Sequence, residues 1–172
     1  KQGDLAWTRG DTAHARNRYE QAFLRHAGDG PDREALIKLA ALDRPEVTDL
    51  IIRYLTADRD PGGHMVLVKE AIEKAPDLGV GHYLIGRRLF NAASYDRALP
   101  YLIRADSLSM PNELLTTENR RLTGESYFYT GAYDQAIETF ERMTTTASSQ
   151  ALITRTEDWI ERCRWFGEQA QE

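Results

Sequence analysis

Apolar residues recur three, four or five positions apart along the chain: Leu84, Ile85, Leu89 and Phe90 in one stretch, Leu122, Tyr127 and Phe128 in another. That spacing puts them on one face of an α-helix, and no alternating β pattern competes with it. The breaks fall on turn-forming residues: Gly10-Asp11, Gly28-Asp29-Gly30-Pro31, Asp60-Pro61-Gly62-Gly63, Pro76-Asp77, Ser109-Met110-Pro111 and Gly131. Gly and Pro at such points stop helices. The pattern predicts ten helices, at 1–9, 11–27, 32–43, 46–57, 63–75, 79–92, 95–108, 113–130, 133–146 and 149–167. Joints of a few residues make successive helices antiparallel hairpins. The expected fold is therefore all-α, one domain over residues 1–172 with no low-complexity linker.

One thirteen-residue phrase occurs twice. The segment ASYDRALPYLIRA, 93–105, is nearly repeated as GAYDQAIETFERM, 131–143, with Tyr95 and Tyr133, Asp96 and Asp134, Ala98 and Ala136, and Arg104 and Arg142 in matching places. The helix before each copy carries a small residue, Gly86 or Gly124, twelve positions ahead of Ala98 or Ala136. Small residues at facing positions let two helices approach closely, so Gly86 is expected to touch Ala98, and Gly124 to touch Ala136. Self-similarity at a period of 38 residues is the mark of a repeat architecture, in which no hairpin buries its apolar face alone and stacking makes the core.

The motif resembles the tetratricopeptide repeat, a helix-turn-helix unit with a W-x₂-L-G-x₂-Y, A-x₃-F, P pattern. One unit reads His82, Ile85, Gly86, Leu89, then Ala98, Leu102 and Ala105. The next reads Arg120, Thr123, Gly124, Tyr127, then Ala136, Phe140 and Met143. These define the clearest repeats, 79–112 and 117–147. Weaker ones fall at 1–30, through Gly3, Ala6, Ala15, Tyr19 and Ala22, and at 45–78, where Ile52 and His64 replace the small residues. Helix 32–43 has no assigned partner, which leaves open whether the alternation of first and second helices continues through it. The last helix, in a segment 148–168 with Leu152, Thr156, Trp159, Ile160, Cys163 and Phe166 on one stripe, reads as a cap. The resemblance implies hairpins stacked as a right-handed superhelix.

Composition excludes more than it identifies. With 22 Lys and Arg against 27 Asp and Glu, the net charge of −5 favours solubility over polyanion binding. Cys163 alone forms no internal disulfide and leaves the compartment open. No apolar run is long enough to span a bilayer. The chain opens at Lys1 within a helical pattern, which reads as part of a longer protein.

Candidate chemistry is sparse. His14, His26, His64 and His82 are scattered without ligand spacing, so no metal is expected. DRDPGGH, 58–64, reads as a turn. No phosphate-binding loop, dinucleotide fingerprint or nucleophile elbow occurs. Cys163, Trp159 and Trp165 read as packing residues, Arg87-Arg88 and Arg120-Arg121 as a solvated face rather than an RNA site, and Pro100 as a bend. No cofactor is expected.

In the tetratricopeptide family the first helix of each repeat lines a concave groove. Carried onto this chain, that implies Asp49 and Arg53, then Tyr83, Arg87, Phe90 and Asn91, then Arg121, Glu125, Phe128 and Tyr129. Aromatic rings and guanidinium groups suit a peptide, although Phe90 and Phe128 fit equally well as packing between repeats. Family members that grip a C-terminal carboxylate use Lys and Asn where Tyr83 and Arg87 stand, so that ligand is not implied. The expected role is a non-enzymatic protein or peptide scaffold, or alternatively a structural accessory domain of a larger enzyme or membrane-anchored protein.

Overall fold

Helix-forming periodicity broken by Gly and Pro yields ten α-helices in the computed structural model, which describes residues 2–25, 31–56, 64–108, 110–146 and 150–170. They are α1 (Gln2–Thr8), α2 (Thr12–Arg25), α3 (Pro31–Leu42), α4 (Pro45–Thr56), α5 (Met65–Lys74), α6 (Gly79–Asn91), α7 (Tyr95–Ser107), α8 (Glu113–Tyr129), α9 (Tyr133–Thr146) and α10 (Gln150–Gln169). No strand occurs among the described residues. Each helix packs on its neighbours in sequence, and α6 also packs on α8. Pro100 lies within α7 without ending it.

Three hairpins, α1–α2, α6–α7 and α8–α9, share one geometry down to single hydrogen bonds. Seven residues after Gly3, Gly86 and Gly124 stand Gly10, Ala93 and Gly131, with φ of 77°, 53° and 78°. Their N–H groups donate to Trp7, Phe90 and Phe128 at 2.8, 2.8 and 3.1 Å. The next N–H groups, of Asp11, Ser94 and Ala132, reach back to Ala6, Leu89 and Tyr127 at 3.0, 2.9 and 2.9 Å. This paired closure with a left-handed residue after the helix is the Schellman motif, which satisfies carbonyls the helix end leaves free. It turns the chain sharply enough to lay the second helix against the first.

Ala93 holds that left-handed position with a Cβ, where its two counterparts are glycine. An L-residue there costs about 1–2 kcal/mol. Ala93→Gly is therefore expected to stabilise the protein by up to about 1 kcal/mol, the relief being partly offset by the greater freedom glycine gives the unfolded chain. A higher urea midpoint with unchanged slope would register the gain. A lower one would mean the turn is not strained at this residue.

The close approach differs from the sequence expectation in detail. A Cβ on Gly86 would meet the Leu102 side chain at 2.6 Å, one on Gly124 the Phe140 ring at 2.6 Å, and one on Gly3 the Tyr19 ring at 2.5 Å. The large residue sixteen positions on thus fills the space above each glycine. Ala15, Ala98 and Ala136, four residues earlier, are fully buried one turn away. The first hairpin, the weaker of these by pattern, closes in the same way as the other two.

Helix α3 joins the structure by a different device. Thr48 donates to the carbonyls of Ala41 and Arg44 at 2.7 and 2.9 Å, clipping the short α3–α4 turn. The Lys38 ammonium is buried and bonds Asp4 at 2.8 Å and Glu34 at 2.6 Å, 5.5 Å from the centre of the Tyr19 ring. Tyr19 also donates to Asp4 at 2.8 Å. Burial opposes the charge on Asp4, but bonds from Lys38 and Tyr19 outweigh it and hold the carboxyl well below its usual range. The network ties α1, α2 and α3 together. The main core runs from α3 to α8, and a second cluster joins α8, α9 and α10.

Candidate functional site

The predicted groove residues divide into a charged group and an aromatic group. The charged group is centred on α8, where Glu118, Arg121 and Glu125 fall on one face because positions three and four apart are helical neighbours. Arg121 grips Glu118 with two bonds of 3.0 Å and also bonds Glu125. Arg33 of α3 reaches Glu118 at 3.4 Å. Both carboxylates are nearly buried, with side chains 12% and 11% exposed. Burial alone would raise the Glu118 carboxyl. The hydrogen bonds and charge of Arg121, with the charges of Arg33 and Arg87, prevail and hold it below its ordinary value. Burial works against Arg121 as well, and its two carboxylate partners more than compensate.

Tyr83 departs most from a groove-lining role. It is fully buried, and its hydroxyl has no hydrogen-bond partner. Burial pushes its pKa up, Arg87 opposes this, and Glu118, Arg33 and Arg121 also act on it, which places the ring beneath the charged group. Arg87, one turn further along α6, is half-buried and makes no ion pair among the described residues.

Beside this group lies an open cleft of ≈ 710 Å³. Its charged lining comprises Arg33, Glu113, Glu118, Arg121, Glu125 and Arg155, with Leu114, Thr117 and Leu152 between them. Arg121 and Glu125 were legible as groove residues. Arg33, Leu114, Leu152 and Arg155 were not. The Arg33–Glu118 pair joins residues far apart in sequence on helices with no shared repeat position, so no local spacing announces it. Leu152 carried a signal, its place on the α10 apolar stripe, which pointed only to packing.

The aromatic group sits at the far ends of α6 and α8. Phe128 meets Tyr129, Tyr133, Trp159 and Phe166 edge-on at 5.5, 5.7, 5.3 and 5.3 Å. Phe90 meets Tyr95 edge-on at 5.3 Å, and Tyr95 stacks on Tyr129 at 4.5 Å. Phe90 and Phe128 therefore hold successive helices together, as edge-to-face rings do. Tyr129 is half-exposed. Asn91 is exposed at the end of α6, and Asp49 and Arg53 pair with each other at 3.3 Å on the outside of α4.

The remaining candidates resolve individually. Cys163 is buried, and burial pushes its thiol up to about 11, away from a reactive thiolate. Trp159 stacks on Phe140 at 5.7 Å, whereas Trp165, expected to pack, is 56% exposed. Arg120 pairs with Asp106 at 2.8 Å, so of the two Arg-Arg steps Arg88 is the fully exposed member. The DRDPGGH turn lies outside the described residues except for His64. Among the described residues no cluster of three His, Cys, Asp or Glu is placed to hold a metal, and no helix is long and apolar enough to cross a membrane. No family model, curated protein or solved structure matches the chain.

Proposed function

We propose that this chain is a tetratricopeptide-like solenoid that binds a peptide or protein segment in the cleft beside α8 and carries out no chemistry of its own. The supporting observation is the cleft lining, where apolar Leu114 and Leu152 share the wall with three guanidinium groups and three carboxylates. Apolar contact supplies affinity in such a site and Arg supplies directed bonds to carbonyls or carboxylates. Of the arginines that line the cleft, Arg155 makes no ion pair among the described residues, and Arg87, outside the lining but near enough for its charge to act on Glu118, makes none either. Tyr83 supports the site from beneath. Its replacement by Ala would open a cavity and disturb the fold, so it is not a usable binding probe.

A structural, accessory role is favoured by a different observation. Arg121 is spent on Glu118 and Glu125, and Arg33 of α3 already occupies one side of the cleft. The groove is then partly filled from within the chain.

Selection from a random peptide display library separates the two readings. The binding reading expects a related set of sequences to be enriched, with affinity falling about ten-fold or more in Arg87→Ala or Arg155→Ala, as for anchors worth over about 1.4 kcal/mol. Peptides that bind both variants as well as the wild type would overturn the cleft assignment. No enrichment at all would favour the accessory role.

A further inference from the structure

Two surfaces at opposite ends of the helix series carry charges without partners, and their chemistries match. α10 faces inward through Thr156, Ile160 and Cys163, all buried. Asp158, Glu161, Trp165 and Glu168 recur at intervals of three and four, the spacing of a single helical stripe. At roughly 100° per residue that stripe lies opposite the buried one. All four residues are exposed, Trp165 by 56%. Among the described residues none of the three carboxylates is engaged in an ion pair. The outward stripe of α10 thus carries three carboxylates around one tryptophan, with exposed Arg162 and Arg164 along its two borders.

At the other end, α1 and α2 enclose an open groove of ≈ 560 Å³ lined by Gln2, Leu5, Ala6, Arg9, Asp11, His14 and Arg18. Leu5 is 55% exposed. Asp11 is occupied as a helix cap, accepting the His14 backbone N–H at 2.9 Å. Arg18 donates only to the His14 ring nitrogen at 3.2 Å and the Gln21 amide oxygen at 3.3 Å. Arg9 has no ion pair among the described residues. Among the described residues neither guanidinium is in an ion pair, and both line the groove beside exposed Leu5, in the same lining as the Asp11 carboxylate.

We propose that the outward stripe of α10 in one copy docks in the α1–α2 groove of a second copy. Trp165 meets exposed Leu5, and the carboxylates of α10 meet Arg9 and Arg18. This is helix-in-groove recognition, with opposite charges setting partner and register. Groove and stripe are different surfaces, so the contact is heterologous: each copy keeps one of each free, and assembly proceeds head to tail. The chain's net charge of −5 repels copies in general, which leaves the local complementarity to drive association and makes it weaken with salt. The inference is independent of the peptide-cleft reading.

Sedimentation velocity over a concentration series, at low and high salt, tests it. Two charge-reversed proteins are needed, Arg9→Glu/Arg18→Glu for the groove and Asp158→Arg/Glu161→Arg for the stripe, with circular dichroism checking that both fold. Wild type should give a mass that climbs with concentration past the dimer and falls back at high salt. Each variant alone should need about ten-fold higher concentration to associate. An equimolar mixture of the two should associate again, because one copy's intact groove meets the other's intact stripe. Trp165→Ala should weaken assembly without changing its salt dependence. A wild type that stays monomeric up to about 1 mM, a plateau at the dimer, or association unaffected by the reversals would each overturn the proposal.

Discussion

Gly86→Leu should be destabilised by about 3 kcal/mol or more, at or beyond the upper end of what overpacking a filled core usually costs. The first carbon alone is enough to explain most of it. A Cβ at Gly86 would sit 2.6 Å from Cδ2 of Leu102 and 3.2 Å from its backbone nitrogen. A side chain can rotate away, but a backbone nitrogen moves only if α6 and α7 separate. Leu102 is itself fully buried, so its rotation would displace other core atoms. Gly124→Leu meets the Phe140 ring instead, with two ring atoms at 2.6 Å, and should cost a similar amount. Arg88→Ala, on an exposed position of the same helix, should stay within about half a kcal/mol. Pairing Gly86→Ala with Leu102→Ala separates steric conflict from a general intolerance of glycine replacement. The double variant should lose less than the sum of the two singles, because the second change empties the space that the first one needs. Urea unfolding reads all of these, and an unshifted midpoint for Gly86→Leu would remove the close approach from the account of the fold.

The elements were legible in the sequence because local chemistry decides them. Helical spacing, the Gly and Pro breaks and the doubled phrase give helices that differ from the structure by one or two residues at most described ends. The closure at Gly131 could be read from the Gly alone, and its double at Ala93 could be inferred only because the two phrases align. What escaped is set by contacts between helices distant in sequence. Tyr83 and Tyr129 are both aromatic residues of a first helix, yet one is fully buried and the other half-exposed. The difference is their surroundings: Tyr83 lies beneath the charges of Arg33, Glu118 and Arg121, whereas Tyr129 lies at the end of α8 and is covered by Tyr95 on one face. Helix α3 shows the same limit. Its pattern promised a helix and gave no partner: Leu36, Ile37 and Ala41 enter the main core and Leu42 packs with Ala15 and Tyr19, while Lys38 and Arg33 pair with Asp4 and Glu118, and all of these contacts join residues that no local spacing relates.

Removal of α10, by ending the chain after residue 147, should make the protein aggregate at all salt concentrations. The second core cluster consists of residues that α8 and α9 contribute from one side and α10 from the other. Ile160, Cys163, Leu152 and Trp159 of α10 pack on Ala136, Phe140 and Met143. Trp159 covers Phe140 as a stacked ring at 5.7 Å and Phe128 edge-on at 5.3 Å. Exposing an apolar side chain of this size costs about 1.5–3 kcal/mol. Phe128, Phe140 and Met143 together would therefore forfeit at most about 5–9 kcal/mol, less the contact that Phe140 keeps over Gly124, against a whole-domain stability of about 5–15 kcal/mol. Either α9 detaches or the uncovered rings find one another between molecules. Both outcomes raise light scattering and reduce helical circular dichroism by more than the share of α10 itself. The salt response distinguishes this from docking between copies through the outer stripe of α10, which high salt suppresses and which the shortened chain lacks. Replacing Phe140 by Ser in the shortened chain should not restore order, since its ring also fills the space above Gly124. A shortened protein that is monomeric, fully helical and as heat-stable as the original would show that α8 and α9 close their core without α10.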